Sequence, residues 1–190
     1  MENELLVEYI IDSVQAVSVD YQIFKTAIKE KGRFKFKNLE RIWCYELYFI
    51  MRKWTKRVFA EVDKRGHEAI ESDFIPDFVL HVPGVMDKNE AVIEVKISKN
   101  YAKGILKDFN TINKMLKNYG YKIGFWILVN YNMEDAKKLL TRLLKTNKDK
   151  NELKYDVDLN FEQTSKNIYV ITKDLQQKVE CKCLSEILGK

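Results

Sequence analysis

Proline and glycine are scarce, two and seven in 190 residues. That composition excludes collagen-like repeats and Gly/Pro-rich low-complexity chains. No run of about 18 apolar residues exists to span a bilayer. The first residues carry Glu2, Glu4 and Glu8 rather than the basic start of a secretion signal, so the expected compartment is the cytoplasm. Cys44, Cys181 and Cys183 give an odd count, with the last two a C-x-C in an expected strand. A zinc centre needs more ligands close by, so reduced thiols are expected. No GxxxxGK[ST] loop and no Gly-x-Ser-x-Gly elbow occurs, which disfavours a nucleotide hydrolase and a serine hydrolase.

What is present suits one compact domain. With 46% hydrophobic residues, a chain of this length buries roughly 70% of the surface its unfolded form exposes. Leu5, Leu6, Tyr9, Ile10, Val14, Val17, Tyr21, Phe24 and Ile28 follow a largely helical period. They predict a helical N-terminal extension over 1–37, completed by a basic connector, Lys31 to Lys37. A core over 38–130 and a C-terminal helix and strands over 131–190 follow. In the core, Ile42, Trp43, Leu47, Phe49, Ile50 and Trp54 mark a helix. Ile105, Phe109, Ile112, Leu116 and Tyr119 mark a second, ended at Gly120. Tyr121 to Asn130 reads as a buried strand, and Asn132 as an N-cap for a helix over Glu134 to Lys145. Ile168 to Thr172 and Lys178 to Leu184 read as later strands.

The net charge of +5 is unevenly spread. Lys31 to Ala60 holds nine basic and two acidic residues; Glu61 to Val95 holds three basic and nine acidic; Lys96 to Phe125 returns to seven basic against one acidic. An acidic centre between basic flanks suits a cation site inside a phosphate-binding cleft. The candidate phosphate-gripping residues are Lys31, Arg33, Lys35 and Lys37 of the connector, with Lys103, Lys107 and Lys114 on the polar side of the second core helix. The plain alternative is that these lysines only solvate surfaces.

The chemistry concentrates in Ile75-Pro76-Asp77-Phe78 and in Ala91 to Ser98. Successive strand side chains alternate between faces, so Glu94 and Lys96 project side by side while Ile93, Val95 and Ile97 take the other face. The turn-prone Pro83-Gly84 and Asp87-Lys88-Asn89 predict an antiparallel hairpin that sets Asp77 opposite Glu94. Two converging carboxylates are costly unless a cation or a shared proton relieves them. The plain alternative is a Glu/Lys pair on a solvated strand.

This PD followed by ExK resembles the pattern of the PD-(D/E)XK phosphodiesterase superfamily, the restriction-endonuclease-like nucleases. The resemblance covers roughly Leu39 to Asn130. It implies a three-layer α/β/α sandwich with a mixed central sheet, and a hydrolase, an endonuclease among the options, acting on DNA in preference to RNA. It also implies Mg²⁺, with Mn²⁺ able to substitute, on Asp77, Glu94 and the Val95 carbonyl, and Lys96 orienting or deprotonating the attacking water. Glu46, on or beside the apolar face of its helix, matches the family's helical glutamate pointing into the site; a partner in Arg41 or Arg52 is the alternative. His81 alternates with Asp77 along its strand and is a possible accessory contact. Glu61, Asp63 or Asp73 could assist a second metal, and His67 reads as a loop residue. Also open are a catalytically idle or partner-dependent subunit of a defence, repair or mobile-element assembly, and a homodimer.

Overall fold

The computed structural model describes residues 3–18, 20–21, 25–30, 33–38, 40–60, 75–97, 102–132, 134–136, 138–139, 141, 167–174 and 179–184. Helix α1 spans Asn3–Gln15. Strands β1 (Lys25–Glu30) and β2 (Arg33–Asn38) form a separate antiparallel hairpin. Helix α2 (Glu40–Trp54), β3 (Val58–Ala60), β4 (Phe78–Val82), β5 (Val85–Ile97), α3 (Ala102–Tyr119), β6 (Ile123–Tyr131), β7 (Asn167–Asp174) and β8 (Val179–Leu184) follow. Strands β3 to β8 lie in chain order in one open sheet. Neighbours pair antiparallel except β5 and β6, which are parallel and joined through α3. A parallel pair needs such a crossover, because a tight turn can only reverse the chain.

The sheet is mixed and carries helices on both faces, an α/β architecture. On one face Ala91, Ile93, Val95, Phe125 and Ile127 pack with Leu6, Ile10 and Val14 of α1 and Trp43, Leu47 and Met51 of α2. On the other, Val92, Trp126, Leu128 and Tyr169 pack with Phe109, Ile112, Met115 and Leu116 of α3. Strands covered on both faces need no polar alternation. Residues 123–129 are accordingly all buried. Among the described residues no helix is long and apolar enough to cross a membrane.

One expectation is corrected. The helix expected to run on to Ile28, as part of a helical extension over 1–37, stops at Gln15, and 25–30 and 33–38 are extended. The alternation Arg33-Phe34-Lys35-Phe36-Lys37 has period two, which suits a strand. Arg33, Lys35 and Lys37 therefore stand on β2 rather than on a connector. Lys31 lies outside the described residues, as do Glu61, Asp63, His67, Asp73, the end of the helix expected to reach Lys145, and the loop from Thr146 to Asn151.

Other local signals hold in detail. Gly120 is left-handed (φ 67°) at the end of α3, and the next N–H, of Tyr121, donates to the Met115 carbonyl at 3.3 Å. Asn132 Oδ1 accepts the Asp135 N–H at 2.8 Å, capping the helical turn over 134–136. The hairpin between β4 and β5 turns at Pro83-Gly84, with Gly84 at φ 77°. There Val82 faces Val85, yet further along Phe78 faces Ile93. Register irregularities between Leu80 and Val82 absorb the difference. They bring Asp77, one residue before Phe78, level with Glu94.

Helix α3 approaches β6 at Gly124, where an added Cβ would stand 2.2 Å from Ile112 Cγ2. Gly124→Ala is expected to lower unfolding free energy by about 1–3 kcal/mol through overpacking. Urea denaturation checks this, the midpoint falling with little change in slope.

Candidate active site

The site forms where β4 stops and β5 continues. A strand residue directs its N–H and C=O to the same edge, and beyond Ile93 that edge of β5 has no β4 partner. Two carboxylates take the vacated places. Asp77 Oδ2 accepts the Val95 N–H at 2.7 Å, and Glu40 Oε2 accepts the Ile97 N–H at 3.2 Å. The Val95 carbonyl lies on that same edge.

Packing fixes where these carboxylates come from. Tyr48 of α2 stacks on Phe78, the residue after Asp77, with centroids 6.3 Å apart. Glu40 sits at the first turn of α2, where a negative charge is favoured by the helix dipole. On the opposite face Phe109 of α3 stacks on Trp126, centroids 4.7 Å apart. Trp126 is the β6 neighbour of Glu94. The stack sets Asp108, one residue from Phe109, against the same end of β5.

Lys96 is the hub. Its Nζ lies 3.2 Å from Asp108 Oδ2 and 3.4 Å from Glu40 Oε1. Burial works against the ammonium, but Asp108, Glu40 and Asp77 outweigh it and hold its pKa above the ordinary lysine value. Lys96 is therefore a fixed cation, suited to orienting a water or offsetting anionic charge rather than to accepting a proton.

Asp77 and Glu94 meet as the alternation of faces predicts. Glu94 is 4% exposed, and the two carboxyls lie close enough to shift each other's titration. Two ionised carboxylates held this close repel, so the arrangement favours a proton on the pair. Burial pushes Asp77 up to about 6, against the opposing pull of the Val95 N–H and Lys96. Burial, Asp77 and Asp108 drive Glu94 well above the usual carboxylate range. Asp108 is raised too, first by burial, with Lys96 pulling the other way. Cys44, one turn after Glu40, is buried, and its thiol is pushed up by burial and then by Asp77 and Glu40.

The remaining predicted residues fall elsewhere. Glu46 is half-buried on α2. The residue of that helix that reaches Lys96 is Glu40, six positions earlier. Arg52 donates to the Lys56 and Val58 carbonyls at the helix end. His81 is half-buried near the turn end of β4, edge-on to Phe59 with centroids 4.9 Å apart. Lys107 and Lys114 are exposed on α3, and Lys103 lies in its first turn.

Glu40 and Asp108 escaped the sequence reading. Asp108 left a usable signal: it lies three after Ile105 and four before Ile112, on the border of the apolar face, where a carboxylate needs a partner. Among the described residues no group of three or more His, Cys, Asp or Glu side chains could hold a metal ion. What the site offers is the Asp77–Glu94 pair, a backbone carbonyl on the same edge, and one ammonium held by Glu40 and Asp108. All its acceptors are oxygens, the donor type a hard cation takes. No protein-family model, curated protein or solved structure matches the chain.

The native state keeps a proton on this pair that the unfolded chain gives up at lower pH. Stability contributed by Asp77 should therefore be fully present below 3.8 and be lost as pH rises through about 6, a contribution of up to about 3 kcal/mol. Asp77→Asn should flatten this part of the stability profile, which chemical denaturation across that range reads directly.

Proposed function

We propose that the chain is a Mg²⁺-dependent nuclease of the PD-(D/E)XK kind, hydrolysing phosphodiester bonds in DNA in preference to RNA. The observation that carries this reading is the close pairing of half-buried Asp77 with buried Glu94, with Lys96 beside them at the open edge of β5. Buried acids kept together by a proton exchange it readily for a cation. The restriction-endonuclease-like form of the α/β fold belongs to the same proposal, with the mixed sheet and two helical layers as its support.

Asp77, Glu94 and the Val95 carbonyl would hold the ion, leaving its other positions to water and phosphate oxygens, as Mg²⁺ prefers. The ion would neutralise phosphate charge and lower the pKa of a bound water. The chain's own residues do the rest. Lys96 holds a positive charge next to the reacting phosphate and aims a water, Asp108 and Glu40 fix the direction of its ammonium, and the apolar floor of Val92, Trp126 and Leu128 excludes bulk solvent.

A second reading has its own observation. Glu40 and Asp108 occupy Lys96, while Glu94 and the Val95 N–H occupy Asp77. A cluster whose lysine is already held by its own acids suits a subunit that cleaves only when a partner opens it, or that only binds.

Calorimetry with Mn²⁺ decides the ligand set. Wild type is expected to bind in the micromolar to millimolar range and to gain roughly 1–3 kcal/mol at saturation, with Asp77→Ala losing both. Identical titrations of the two proteins would overturn the assignment. Lys96→Ala should cut plasmid cleavage by about 10²-fold or more with metal affinity near wild type. A wild type that binds Mn²⁺ and cleaves nothing favours the second reading.

Lys103, Lys107 and Lys114 follow one side of α3, and Lys107 directly precedes Asp108. If that side meets the phosphate backbone, replacing all three by Gln should weaken duplex binding. The salt dependence should flatten by about 0.9 in log–log slope for each phosphate no longer neutralised. An unchanged slope moves the phosphate track to β2 and its Arg33, Lys35 and Lys37.

A further inference from the structure

Helix α2 turns one face to the core and leaves an aromatic stripe outside. Tyr45 is 58% exposed and Phe49 57% exposed, one helical turn apart. Arg41 and Lys53, one turn further out on either side, flank them. The stripe reads Arg41, Tyr45, Phe49, Lys53 at a constant spacing of four. Lys53 Nζ rests 4.3 Å from the centre of the Phe49 ring. Among the residues three or four positions from either ring, the only acid is Glu46, which is half-buried.

Exposed rings bracketed by cations suit a ligand with flat apolar faces and an anionic backbone. Two rings about 6 Å apart along a helix find no free base face on a duplex, where each base is already covered by its stacked neighbours. They can each receive an unpaired base. A second copy of the chain fits poorly: in an isologous antiparallel contact centred between the rings, Arg41 of one copy would face Lys53 of the other. The stripe also starts beside the site, since Glu40, the residue before Arg41, holds Lys96.

We propose that the Tyr45–Phe49 stripe is a platform for single-stranded DNA. Successive bases stack on the two rings, while Arg41 and Lys53 leave their present partners, the Phe49 ring in the case of Lys53, to meet the linking phosphates. This rests on the nuclease reading for its purpose, the delivery of an unpaired strand toward Lys96, but not for its test.

The test is fluorescence polarisation of a labelled oligothymidylate, and of a duplex of equal length, with full-length protein in EDTA so that no cleavage intervenes. Tyr45→Ala with Phe49→Ala should weaken single-strand binding about thirtyfold or more, since each stacked base contributes at least about fivefold. Duplex affinity should change less than about threefold, and the salt dependence should stay as in wild type, because rings release no counterions. Tyr45→Phe with Phe49→Tyr should restore single-strand affinity. Single-strand affinity unchanged in the double alanine variant, or equal losses on both probes, overturns the platform. So does a wild type that ignores the oligonucleotide and instead self-associates through these rings in sedimentation. If wild type binds through the stripe yet never cleaves with Mg²⁺, the nuclease reading falls and the platform stands.

Discussion

Strand β5 outruns its antiparallel neighbour, and the rest of the site follows from that mismatch. β4 begins at Phe78 opposite Ile93, while β5 continues to Ile97. Past that point the N–H groups of Val95 and Ile97 belong to buried residues with no strand paired to them on that edge among the described residues. Buried backbone donors must be satisfied. Asp77 and Glu40 do so with side-chain oxygens, which brings two carboxylates to one edge before any chemistry is considered.

The carboxylates then create an electrostatic demand of their own. Asp77, Glu94, Asp108 and Glu40 gather around one ammonium. The apolar layers behind them raise the cost of each negative charge. A proton between Asp77 and Glu94 meets part of the demand, and Lys96 meets part. The arrangement thus holds more acids than its one ammonium offsets, and it gives the lysine little scope as an acid or base, because its neighbours secure its positive charge.

Local patterns were legible wherever one residue type dictates one geometry. Gly120 at a helix end, Asn132 before a helical turn and the alternation that sets Glu94 beside Lys96 all depend on near neighbours in the chain. Where two periods compete the reading failed. After α1 the helical rhythm still holds at Tyr21, but at Ile28 the hairpin pairing of 25–30 with 33–38 overrides it. The meeting of Asp77 with Glu94 was inferred from the hairpin, yet its register depends on irregularities between Leu80 and Val82 that no residue type announces.

By itself the sequence determined the order of strands and helix from β4 to β6 and the side-by-side projection of Glu94 and Lys96. It also determined the presence of a Pro-Asp one strand earlier. These follow from periods of two and 3.6 residues, which are local properties of the backbone. Only the tertiary structure decided which distant acids join them. Glu40 rather than Glu46 reaches Lys96 because Tyr48 seats α2 on Phe78, and Asp108 reaches it because Phe109 stacks on Trp126. Both choices rest on how helices settle against a sheet, a matter of side-chain packing between segments far apart in the chain, which spacing along it does not encode.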